Sequence, residues 1–84
     1  MWFERAEYYS NGNLALELWC NEGMYTPVTV NIEKLEYGLA AVDTNNSPGI
    51  DKWLYKRGIA RPTVIHLYSG YYMYPVMRFD LTKI

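Results

Sequence analysis

Leu14, Leu16 and Leu18 alternate with Ala15, Glu17 and Trp19, and this period of two predicts a half-buried strand over Asn13–Cys20. Trp2–Tyr9 reads as the strand before it, joined through Ser10-Asn11-Gly12. A two-residue Asn-Gly turn would set Glu7 opposite Leu16 and Arg5 opposite Leu18, putting charges on the leucine face. A three-residue loop with Gly12 left-handed instead pairs Tyr8 with Leu14, Ala6 with Leu16 and Arg5 with Glu17. That arrangement leaves the ion pair outside and is the expected register.

After a turn at Asn21-Glu22-Gly23, Tyr25–Ile32 reads as a third strand, with Val28, Val30 and Ile32 inward and Thr29 and Asn31 outward. Pro27 has no N–H for a ladder, so it belongs at an edge or a strand start. Glu33–Gly38 is a polar connection, and Leu39–Val42 is a short apolar strand. The turn formers Asp43-Thr44-Asn45-Asn46-Ser47 lead into the one helix, Pro48–Arg57. Ser47 or Asn46 supplies its cap, Pro48 suits its first turn, and Ile50, Trp53 and Leu54 form its buried stripe. Gly58 provides a left-handed exit, with Ile59 folding back on Leu54.

Thr63–Tyr68 and Tyr71–Leu81 form a second hairpin about Ser69-Gly70. Ile65 and Leu67 share one face of the first arm, and Val64, His66 and Tyr68 share the other. In the return arm Tyr72, Tyr74 and Val76 oppose Tyr71, Met73, Met77 and Phe79. Both faces are apolar or aromatic, so the hairpin is buried on both sides or forms part of an interface. Thr82–Ile84 is expected to fray. The order β-β-β-β-α-β-β predicts an α+β fold in one domain, residues 1–84. Its expected form is a twisted, mainly antiparallel sheet of about five or six strands with one helix packed on a face.

Composition narrows the classes. Of 84 residues, 50% are hydrophobic and 20% charged, which excludes a disordered or fibrous chain. No apolar run approaches the roughly 20 residues that span a bilayer, so no membrane association is expected. Met1-Trp2-Phe3-Glu4-Arg5 lacks the basic head and apolar stretch of a signal peptide. The lone Cys20 forms no internal disulfide and fits a reducing compartment such as the cytoplasm. A net charge of −1 argues against a dedicated duplex-DNA binder. The average hides a division: residues 1–51 carry eight acids and two bases, residues 52–84 six bases and one acid, giving −6 and +5. Either the halves neutralise each other on packing, or a bipolar surface steers a charged partner.

No catalytic residue, cofactor or metal site is expected. Cys20 lies in an alternating strand with no neighbour in sequence to activate its thiol. His66 sits mid-strand between Ile65 and Leu67, and Ser10, Ser47 and Ser69 occupy turns. Asp43-Thr44-Asn45-Asn46 is rich in oxygen but lacks the acid density of a calcium loop, and turn-making accounts for it. The aromatic content is more informative. Nine tyrosines, three tryptophans and two phenylalanines exceed what so small a core absorbs, and Tyr and Trp serve well as interface anchors.

Four stretches carry a resemblance: Tyr8-Tyr9-Ser10-Asn11-Gly12-Asn13-Leu14-Ala15-Leu16-Glu17-Leu18, Val28-Thr29-Val30-Asn31, Val42-Asp43-Thr44-Asn45-Asn46-Ser47-Pro48, and Tyr74-Pro75-Val76. In this order the chain resembles an uncharacterised family of small proteins carried by phages, plasmids and conjugative elements of bacteria, domain-of-unknown-function family 4313. The resemblance implies a mobile-element setting and supplies no catalytic residues. Small proteins of such elements often inhibit host defences. The expected function is therefore a non-enzymatic binding protein that inhibits a bacterial defence complex, of anti-CRISPR or anti-restriction type, by contact with a host protein or nucleoprotein.

The residues expected at that contact are Tyr68, Tyr71, Tyr72, Met73 and Tyr74, with help from Glu4, Glu7, Glu17 and Glu22; the other use open to those acids is to imitate a phosphate backbone in a basic host groove. The alternative is a regulatory nucleic-acid module in which Lys52, Trp53, Lys56, Arg57 and Arg61 grip a strand by charge and base stacking. Direct nucleic-acid contact ranks below protein contact. A homodimer through the hairpin is the third possibility.

Overall fold

The computed structural model describes residues 1–84, with seven strands in two antiparallel sheets and one helix. β1 (Trp2–Glu7), β2 (Leu14–Cys20) and β3 (Gly23–Pro27) form the first sheet in that order. β4 (Thr29–Val30), β5 (Leu39–Val42), β6 (Ala60–Ser69) and β7 (Tyr72–Phe79) form the second, in the order β4-β5-β7-β6, with α1 (Ile50–Lys56) between β5 and β6 in the chain. The fold is α+β as the element order predicts.

Two sheets replace the single one expected because the chain changes sheet at Val28. Its N–H donates to the Leu16 carbonyl at 2.9 Å, and its own carbonyl accepts the Asp43 N–H at 2.9 Å. The expected third strand is thereby cut into β3 and β4. Thr29, expected outward, is buried, because its hydroxyl oxygen accepts the Leu16 N–H at 3.1 Å.

Leu14, Leu16 and Leu18 of the first sheet meet Ala40, Val42, Met77 and Phe79 of the second, and Ile50 and Leu54 of α1 complete this core. The opposite face of the second sheet buries Leu39, Ala41, Tyr74 and Val76 against Val30, Ile32 and Leu35. β7 therefore has apolar packing on both faces, divided as its alternation predicts.

The first hairpin departs from the expected register. Glu7 stands opposite Leu14, Arg5 opposite Leu16 and Glu4 opposite Glu17, so the Arg5–Glu17 pair does not form. The loop has four residues, Tyr9–Gly12: the Tyr8 N–H donates to the Asn13 carbonyl, and the Gly12 N–H to the Tyr8 carbonyl. Asparagines lengthen it. The Asn13 N–H bonds Asn11 Oδ1, and the buried Asn13 amide is held by distant backbone. Arg5 lies on the leucine side and donates to the Leu81 carbonyl at 2.8 Å.

The helix is shorter than expected. Gly49, at φ +86°, occupies its N-cap with no side-chain cap bond. The Ser47 hydroxyl lies 2.7 Å from that of Thr26 instead, and Asn46 is turned onto Asp43. Its exit follows expectation: Gly58 is left-handed at φ +69°, and the Ile59 N–H donates to Leu54. The C-terminal residues do not fray, since Leu81 and Ile84 pack on the core.

β6 is an edge strand of the second sheet and is bulged. Pro62 pairs with Met77 and His66 with Pro75, so Thr63, Val64 and Ile65 oppose Val76 alone. The Thr63 hydroxyl donates to the Val76 carbonyl at 2.7 Å and accepts the Ile65 N–H at 3.1 Å. No helix is long and apolar enough to cross a membrane.

Candidate functional site: the outer hairpin and two charged surfaces

β6 and β7 carry the tyrosine-rich segment and turn at Gly70, which is left-handed at φ +62°. The expected contact residues divide between its faces. Tyr68 pairs with Met73, and both are exposed, while Tyr71 at the tip is wholly in water. Tyr74 is only 9% exposed and belongs to the second core cluster, which removes it from the expected contact surface. Tyr72 is half-buried, its ring centroid 4.8 Å from that of Tyr74 and its hydroxyl 3.2 Å from that of Thr44. These two rings back the hairpin rather than present it.

Val64, 93% exposed, and Ile65 join the apolar surface and were not among the residues expected there. The bulge that lifts them into water depends on Pro62 and the Thr63 hydroxyl, and only alternation was legible in sequence.

The acidic residues also separate. Glu4 and Glu17 face each other across β1 and β2, a pairing that repels. Trp2 Nε1 donates to Glu4 at 2.6 Å and Trp19 Nε1 to Glu17 at 2.9 Å, fixing both carboxylates on the outer face of the first sheet. Glu7 lies on the leucine side opposite Leu14, and Glu22 sits in the β2–β3 turn. The four glutamates expected to act together do not form one row.

Of the basic set, half-buried Trp53 already has partners for its ring. The Arg57 guanidinium lies 4.6 Å from its centroid, and Phe3 meets it edge-on at 6.4 Å. Lys52 and Lys56 are exposed and line a groove beside the hairpin. Arg61 stands across from Arg78, which makes an exposed 3.3 Å ion pair with Glu36.

Cys20 is half-buried at the end of β2, and His66 is exposed on β6, in the other sheet. No group of three His, Cys, Asp or Glu side chains is arranged to hold a metal ion. Asp80 is held below the usual carboxylate range, chiefly by the Thr82 hydroxyl donating to it at 2.6 Å and then by the Thr82 N–H.

The stretches that carry the resemblance turn out to be architectural. Asn13 donates to Asn31 Oδ1 and the Glu33 carbonyl and accepts the Leu35 N–H, while Asn11 and Ser10 also bond Asn31. Asp43 accepts the Asn46 N–H and side-chain amide, and Tyr74 and Val76 are core. A family model described as Domain of unknown function (DUF4313) matches residues 3–84, and the chain belongs to that family. No curated protein and no solved structure matches it.

Proposed function

We propose that this DUF4313 protein is a protein-binding module whose contact surface is the β6–β7 hairpin. One observation carries the reading: Val64, Ile65, Tyr68, Tyr71 and Met73 are each exposed, and all belong to the one hairpin at the β6 edge of the second sheet. Exposed apolar surface concentrated in this way marks an interaction site. Tyrosine supplies large contact area at low rotamer cost. Tyr72 and Tyr74, in tilted ring contact at 4.8 Å behind them, tie the return arm to the second core, which limits the ordering cost when a partner docks. The narrower role, inhibition of a bacterial defence complex by contact, follows from the mobile-element resemblance and belongs to the same proposal. The nucleic-acid reading is weaker, because the Arg57 guanidinium already lies over the Trp53 ring, where a base would stack.

The test is capture from bacterial lysate with the wild type and with Tyr68→Ser/Tyr71→Ser/Met73→Ser, each with and without nuclease. The expected result is a nuclease-resistant partner whose recovery falls about tenfold or more in the triple variant. Equal recovery by both proteins, or recovery abolished by nuclease, overturns the proposal.

A further inference from the structure

We infer that the groove between α1 and the β6–β7 hairpin seats an acidic segment of a partner protein, anchored by one or two large apolar side chains. The inference rests on the hairpin as contact surface and identifies what binds beside it. Pro62, Pro75 and Met77 form the groove floor, and Tyr55 forms a wall. Pro62 pairs with Met77, His66 with Pro75 and Tyr68 with Met73. Cross-strand partners share a face, so the floor continues past the helix to the exposed Tyr68 and Met73. The result is one unpartnered sheet face running from the helix to the hairpin tip.

The volume, about 320 Å³, lies at the low end of ligand clefts and suits side chains from a segment rather than a folded body. Lys52 and Lys56 stand on the rim, where their stems add apolar wall and their ammonium groups reach water. Asp51 is the one acid in the lining. The half of the chain from residue 52 carries +5 overall. Carboxylates flanking an apolar anchor complement such a site, and basic residues there are repelled. A second copy of this chain is the poorer occupant. Its acidic half would dock on a different surface from its own, a head-to-tail contact that repeats into open chains unless it closes.

The full chain, immobilised, is panned against a library of short random peptides, and the winners are resynthesised with Asp and Glu replaced by Lys. Winners are expected to combine carboxylates with Leu, Ile, Phe or Trp and to lose binding on replacement. Their affinity is expected to fall about tenfold, some 1.4 kcal/mol, in Lys52→Glu/Lys56→Glu. Tyr55→Ala, at an exposed position, is expected to weaken binding in the same direction. Winners without acidic enrichment, or affinity unchanged in both variants, overturn the inference. So does salt-sensitive growth of the free protein into oligomers that the lysine variant abolishes, which would install a second copy in the groove. Loss of lysate capture in the hairpin triple variant alone, with the lysine variant unaffected, overturns the groove and leaves the hairpin reading standing. Peptide affinity lost in the lysine variant, with lysate capture undiminished in the triple variant, supports the groove and overturns the hairpin reading.

Discussion

The β1–β2 loop and the β6–β7 tip each carry a tyrosine wholly in water, Tyr9 and Tyr71, yet their surroundings are opposite. Around the first, Ser10, Asn11 and Asn13 bond Asn31, and Lys34 donates to the Asn11 carbonyl, so polar side chains lash the loop to residues about twenty positions away. Around the second, Tyr68 and Tyr71 make no side-chain hydrogen bond, and Val64 and Met73 are also in water. Polar groups with distant partners specify architecture. Apolar groups left without partners are the basis of the proposed contact. Much of the family resemblance falls in the first region, so it reports the fold more than the site.

The largest expected effect breaks the lashed region. Asn13→Ala removes an amide that satisfies Leu35, Glu33 and Asn31 and is 5% exposed. Stability should fall by about 3 kcal/mol in urea denaturation, since buried partners lose their bonds. A loss under about 1 kcal/mol would erase the contrast between the hairpins. Tyr68→Ser/Tyr71→Ser should stay within about 0.5 kcal/mol of wild type in the same assay, because neither ring is packed. A larger drop would make those tyrosines structural.

The smallest effect concerns neither hairpin and serves as the baseline. Asp80 titrates below its ordinary 3.8, so its bonds to Thr82 are intact above that value and are lost as pH falls through the depressed one. In an NMR pH titration, the Thr82 amide should follow the Asp80 carboxylate in that acidic window and stand still in Asp80→Asn.

Local chemistry made several elements legible. The leucine alternation, the left-handed exit at Gly58 and the two faces of β7 each depend on residues near in sequence. The hairpin register was not legible, because Asn13 answers to Leu35 and Glu33 instead of to its own strand. The sheet change at Val28 and the glycine cap at Gly49 were hidden for a similar reason. One depends on bonds to both Leu16 and Asp43, the other on Ser47 being engaged by Thr26. At the candidate site, alternation correctly separated Met73 from Tyr74 but gave no measure of which face the connection through Ile32 and Leu35 would cover. The groove beside α1 depends on how the helix lies over Pro62 and Pro75, which no local pattern encodes.

Pro62 and the distortion at Thr63–Ile65 carry a consequence for solubility. An outer border rich in valine, isoleucine and tyrosine invites neighbouring molecules to stack into fibrils. Here the border is broken at Thr63–Ile65, beside a proline with no N–H to offer, so only two short regular stretches remain, Ala60–Arg61 and His66–Ser69. An interrupted border of this kind lets an apolar tip stay uncovered with less risk of edge-to-edge stacking.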